Sequence, residues 1–169
     1  MTMKAEIAID LGTANTVITS EGQVVVDEPS VVAISMADNK MVAVGRKAQQ
    51  MIGKGGNMIR TVRPLKDGVI ADFYACEMMI RGMIKMIPHQ SRFFTPSLRM
   101  VVGIPSSSTE VEIRAVRDSS EHGGGRDVYM IFEPMAAAIG MGVDVESPEG
   151  CMVVDIGGGT TEIADFEEI

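Results

Sequence analysis

The chain has 169 residues, 46% of them hydrophobic, which is enough to build a buried core and excludes a disordered polymer. Fifteen Lys and Arg against 23 Asp and Glu give a net charge of −8 with no basic block, so no nucleic acid partner is expected. Cys76 and Cys151 stand beside apolar residues, without a second Cys, His or carboxylate at metal-ligand spacing, and read as two reduced buried thiols. Residues 1–9 hold one Lys and no long apolar run, and no stretch reaches the roughly 18–20 apolar residues of a spanning helix, so neither a signal peptide nor a transmembrane segment is expected.

In chain order, strands rich in Val and Ile are predicted at 6–10, 16–20, 23–26, 30–35 and 41–44, separated by Gly, Asp-Glu-Pro and Asp-Asn turns. Residues 46–52 read as a short helix, 53–57 as a flexible connector and 63–68 as a second break. After Asp72, a fitting N-cap, Cys76, Met79, Ile80, Met83, Ile84 and Ile87 repeat at helical spacing and predict a helix over 73–87, ended by Pro88. The apolar run 98–104 between Pro96 and Pro105 predicts a buried strand of a sheet covered on both faces. Thr109-x-x-Glu112 is a capping box opening a helix to about Ser120, followed by a strand at 128–132, a helix at 134–141 with Pro in its first turn, and a strand at 152–155. Strands alternating with helices in the second half predict an α/β fold with a mixed sheet, and 28–72 reads as a strand-rich insertion carried on it. Ser106, Ser107 and Ser108 lack a neighbouring His or an elbow pattern and read as a loop into the Thr109 cap; His89 and His122 read as surface or loop histidines.

A seven-residue pattern, Asp-apolar-Gly-x-x-x-Thr, occurs twice: Asp10-Leu11-Gly12-Thr13-Ala14-Asn15-Thr16 and Asp155-Ile156-Gly157-Gly158-Gly159-Thr160-Thr161. Each copy lies between two strand-like runs and so predicts a tight hairpin. Glycine lets the backbone approach closely and turn its N–H groups inward as an anion nest. The aspartate beside such a nest would repel a phosphate unless a divalent cation or an ordered water stood between them. Mg²⁺ bound through one or two carboxylates plus phosphate oxygens is the usual arrangement. A dinucleotide fingerprint should open a helix after its strand, whereas both loops run into another strand, and no Walker-type loop occurs.

The two loops resemble the phosphate 1 and phosphate 2 motifs of the actin, sugar kinase and heat-shock ATPase superfamily. Longer segments, including DEPSVVA, RPLKDGVIADF and FEPMAAAIG, resemble the bacterial actin homologue MreB over nearly the whole chain. The resemblance implies an actin-like, ribonuclease H-like domain: a mixed five-stranded sheet flanked by helices from 1–27 and 73–169, with a small inserted α+β subdomain at 28–72. It implies ATP and Mg²⁺ binding, self-association into filaments, a place at the cytoplasmic face of the membrane, and work with cell-shape and wall-synthesis proteins.

Carried over residue by residue, Gly12, Thr13, Ala14 and Asn15 with Gly157, Gly158, Gly159 and Thr160 would cradle the phosphates. Asp10 and Asp155 would serve the metal, and Glu133 would position the attacking water, although a Glu at a helix N-terminus is favoured by the helix dipole alone. Phe93 and Phe94, in the 91–96 segment, match a membrane-insertion loop; the alternative is a pair tucked over the core. The family continues into a second half that completes the cleft. This chain reads as the first half, with three acids in 165–169 where the family continues an apolar strand. Other expectations for the same residues are a sugar kinase or heat-shock type ATPase, or a non-catalytic interaction module.

Overall fold

The computed structural model describes residues 4–88, 97–145 and 150–166. The main sheet takes strands β1 (Lys4–Leu11), β2 (Asn15–Ser20), β3 (Gln23–Pro29), β9 (Ser97–Ile104) and β10 (Asp127–Phe132) in the order β10-β9-β1-β2-β3. β1, β9 and β10 run parallel, whereas β2 and β3 are antiparallel additions at the other edge. The mixed five-stranded sheet is therefore present, and its parallel pairs need helical crossovers.

Helices α2 (Phe73–Ile84) and α3 (Glu110–Gly123) supply them and pack on one face of the sheet. Side chains alternate along a strand, so Ile7, Ile9 and Leu11 of β1 and Leu98, Met100, Val102 and Ile104 of β9 all turn to that face. They close on Cys76, Met79, Ile80 and Met83, the apolar stripe of α2. The Asp72 carboxylate caps α2 by accepting the Ala75 N–H at 3.0 Å, and Thr109 and Glu112 form the reciprocal capping box of α3. The helix predicted over 73–87 ends at Ile84 and gives way to turns.

Three expectations change. Strand β9 is packed on one face only, because Arg99, Val101 and Gly103 stay partly open. Coverage on both faces belongs instead to β4 (Val32–Ser35), the centre of a small antiparallel sheet β5-β4-β6 with β5 (Met41–Val44) and β6 (Ile59–Val62). Val31 and Ala33 meet Ala48 of α1 (Arg46–Gln49), while Val32 and Ile34 meet Ala75 and Met78 of α2. The break at 63–68 opens a hairpin, β7 (Leu65–Lys66) and β8 (Val69–Ile70), turned by Asp67 and Gly68 at φ 51° and 79°. Strands of two residues leave no alternation to read. Lastly, Cys76 is fully buried but Cys151 only half-buried, since it starts the short hairpin β11 (Cys151–Ile156) and β12 (Thr161–Phe166), which has no third strand among the described residues.

Candidate functional site

Both repeated motifs form the hairpins their sequence predicts. β1 turns into β2 with Leu11 opposite Thr16, and β11 turns into β12 with Ile156 opposite Thr161. In the second turn the Gly157 N–H donates to the Thr160 carbonyl at 2.8 Å. Tertiary folding then brings the two turns against each other. A methyl group added at Gly158 would stand 2.7 Å from Ala14 Cβ, and one at Gly159 would stand 2.5 Å from Thr13 Oγ1. That approach requires glycine at both positions, because any side chain would push the loops apart.

Three carboxylates gather beside the meeting point: Asp10 near the end of β1, Asp155 near the end of β11, and Glu133, the first residue of α4 (Glu133–Gly140). All three line a cavity of about 520 Å³, floored by Val17, Val101 and Ile131 of the face that α2 and α3 leave free. Glu133 lies over Gly103, where a methyl group would touch its Cγ at 3.3 Å. Burial, and then the charges of Asp10, Glu162 and Asp155, push the Glu133 carboxyl up to about 7 from an ordinary 4.5. Asp10 is raised as well, first by burial and then by Asp155. The carboxylates therefore repel one another across a space that a cation would relieve. Among the described residues no three His, Cys, Asp or Glu side chains converge into a metal cage. A cation there would take one or two carboxylates and complete its shell with water or ligand oxygens, which suits Mg²⁺ better than a caged ion.

Two further groups join the site without a signal in the sequence. The Gly68 N–H, in the β7–β8 turn, donates to Thr13 Oγ1 at 2.9 Å, and Gly68 also lies against the Thr160 methyl. Glu162 is buried, and its Oε1 accepts the Ser106 N–H at 2.8 Å and the Ser106 hydroxyl at 3.0 Å. Its Oε2 has no partner among the described residues. Ser106 is thus part of the loop into the Thr109 cap and also an anchor of the second hairpin. Alternation along β12 puts Glu162 on the inner face with Ala164 and Phe166, so Glu162 is only 8% exposed while the apolar Ile163 beside it is 66% exposed.

Phe93 and Phe94 lie outside the described residues, as does His89; His122 is largely exposed, facing Glu77 at 3.6 Å. No helix among the described residues is long and apolar enough to cross a membrane. Chemically, the site offers two backbone turns that can cradle an anion, a group of acids that favours a divalent cation, and one carboxyl that exchanges its proton near neutral pH.

The family model described as MreB/Mbl protein matches residues 4–166. The cell shape-determining protein MreB of Escherichia coli (strain K12) is 50% identical over 164 residues, 94% of this chain and 47% of that protein. The cell shape-determining protein Mbl of Bacillus subtilis (strain 168) is 46% identical over 160 residues, again 94% of this chain and 47% of its own length. Among solved structures, MreB5 of Spiroplasma citri bound to AMPPNP superposes with a TM-score of 0.82 at 34% identity, covering 99% of this chain and 50% of that one. The chain spans about half the length of the curated relatives it matches. The stretch matched by the family model takes in both hairpins and the sheet that carries them, so the chain belongs to the MreB/Mbl family of actin-like, cell shape-determining proteins.

Proposed function

We propose that this chain is the nucleotide-binding first half of an actin-like filament protein, taking Mg²⁺ and ATP between its two phosphate loops. The observation that carries this reading is the contact of Thr13 and Ala14 with Gly158 and Gly159 beside Asp10, Asp155 and Glu133. Residues 1–27 and 73–169 form the core subdomain of the proposal, and 28–72 the inserted one. Backbone donors of Gly12, Thr13, Ala14, Asn15, Gly157, Gly158, Gly159 and Thr160 hold the phosphates. Asp10 and Asp155 would hold Mg²⁺, whose charge would offset that of the phosphates. Glu133 accepts a hydrogen bond from the attacking water and orients it. AMPPNP in the related MreB5 supports the nucleotide assignment.

Assembled with the second half of the family's length, the protein forms filaments on the inner face of the cytoplasmic membrane, where it guides wall synthesis and rod shape. Phe93 and Phe94 insert into the bilayer there. Two phenylalanines supply about 3–6 kcal/mol, too little for one copy but additive along a filament.

Calorimetric titration of Mg²⁺-ATP into the chain is expected to show saturable binding that weakens at least tenfold in Asp155→Ala. The absence of Mg²⁺-dependent binding, even with a family second half supplied, would overturn the reading. For the membrane part, the double variant Phe93→Ser/Phe94→Ser of the assembling protein should lose liposome co-sedimentation while still pelleting with ATP. Undiminished lipid binding would place the pair in the core.

A further inference from the structure

Ser30, at the exit of β3, is fully buried, and its polar atoms are spent on the back of the first loop. Its hydroxyl donates to the Gly12 carbonyl at 2.6 Å, and its backbone N–H donates to the Ala14 carbonyl at 2.9 Å. With that hydroxyl proton committed to Gly12, the nearby Thr16 hydroxyl, 2.9 Å away and also buried, donates to Ser30 Oγ. Thr16 is the last residue of the repeated motif, so the motif itself supplies a donor for this chain of hydrogen bonds.

A trans peptide points its C=O and N–H in opposite directions. The Gly12 carbonyl shares its plane with the Thr13 N–H, and the Ala14 carbonyl shares its plane with the Asn15 N–H. No cis peptide occurs among the described residues. Holding both carbonyls toward Ser30 therefore turns both amides to the opposite side, the side that β3 does not back. The second loop has no such brace among the described residues; its turn is closed by the Gly157 to Thr160 hydrogen bond.

We propose that Ser30 is a positioning residue for the first phosphate loop, aiming the Thr13 and Asn15 amides at a bound phosphate. The role rests on the nucleotide reading above, and it assigns to the start of the inserted segment part of the preorganisation of the site. Preset donors bind without the cost of ordering the loop.

The test uses the full 169-residue chain with Ser30→Ala, Thr16→Val and Thr16→Ser. Thr16→Val keeps shape and removes the donor; Thr16→Ser keeps the donor and removes a methyl. The readouts are ¹⁵N order parameters of the Thr13 and Asn15 amides without nucleotide, and Mg²⁺-ATP affinity by calorimetry. Expected are order parameters falling from about 0.85 to below about 0.6 in Ser30→Ala and Thr16→Val but not in Thr16→Ser. Affinity should drop at least tenfold in the first two variants and stay within about threefold of wild type in the third. Rigid amides and unchanged affinity in Ser30→Ala, or equal effects of the two Thr16 variants, would overturn the proposal by reducing the contact to packing. Should the wild type bind no nucleotide, the nucleotide reading and the aim at phosphate both fall, while the order parameters still decide whether Ser30 fixes the loop.

Discussion

Burial first, and then the charges of Asp10, Glu162 and Asp155, set the titration of Glu133. Its folded value of about 7 lies above the ordinary 4.5, so between those values the folded state keeps a proton that the unfolded chain has released. The stability Glu133 contributes is therefore complete below about 4.5 and lost as the pH rises through about 7. Glu133→Gln, which needs no proton, is expected to gain melting temperature over wild type as the pH rises across that window, measured in a chelating buffer. Parallel curves for the two proteins would show that neither burial nor the neighbouring acids raise Glu133 in the folded state. Cys76 is the opposite kind of group. Burial first, and then Asp72, push its thiol up to about 12, so it is inert as a nucleophile and serves as core.

Strand β9 carries two environments one residue apart. Met100 is fully buried beneath α2 and α3, whereas Val101 faces the cavity beside Glu133. Met100→Ala should cost about 2–5 kcal/mol in denaturant unfolding and Val101→Ala less than about 1 kcal/mol. Comparable costs would mean that both faces are tightly packed. The burial on the helix side was legible in the sequence, because the period of α2 and the caps at Asp72 and Thr109 are local patterns. The open side was not. An apolar run such as 98–104 looks the same whether one face or both are covered, and in this fold it is β4 that meets a helix on each side.

At the scale of the whole molecule, the cavity has the main sheet as its floor and α4 as one wall, and the apolar Ile139 that lines it stands 55% exposed. Charge stabilisation in a reaction depends on a site that excludes water. The 169-residue chain alone is therefore expected to turn over Mg²⁺-ATP at least about 10²-fold more slowly than the same chain supplied with a family second half. Phosphate release at equal rates in the two samples would show that one side of the cleft suffices.

What the sequence by itself determined is what lies within a few residues: the two hairpins, the capping box, the stripe of α2, and the donors and acids grouped around each motif. Those features follow from backbone geometry and side-chain period, which neighbours along the chain settle. Only the tertiary structure decided that Gly158 and Gly159 meet Ala14 and Thr13, that Gly68 donates to Thr13, and that Glu162 is buried on Ser106. It also decided that Ser30 backs Gly12 and Ala14. These partners are far apart in the chain, and their pairing depends on how β1, β9 and β10 align and where the β11–β12 hairpin docks. No local propensity encodes such a contact; it exists because burial of the α2 and α3 face holds the strands in one register and leaves the polar turns to close on each other.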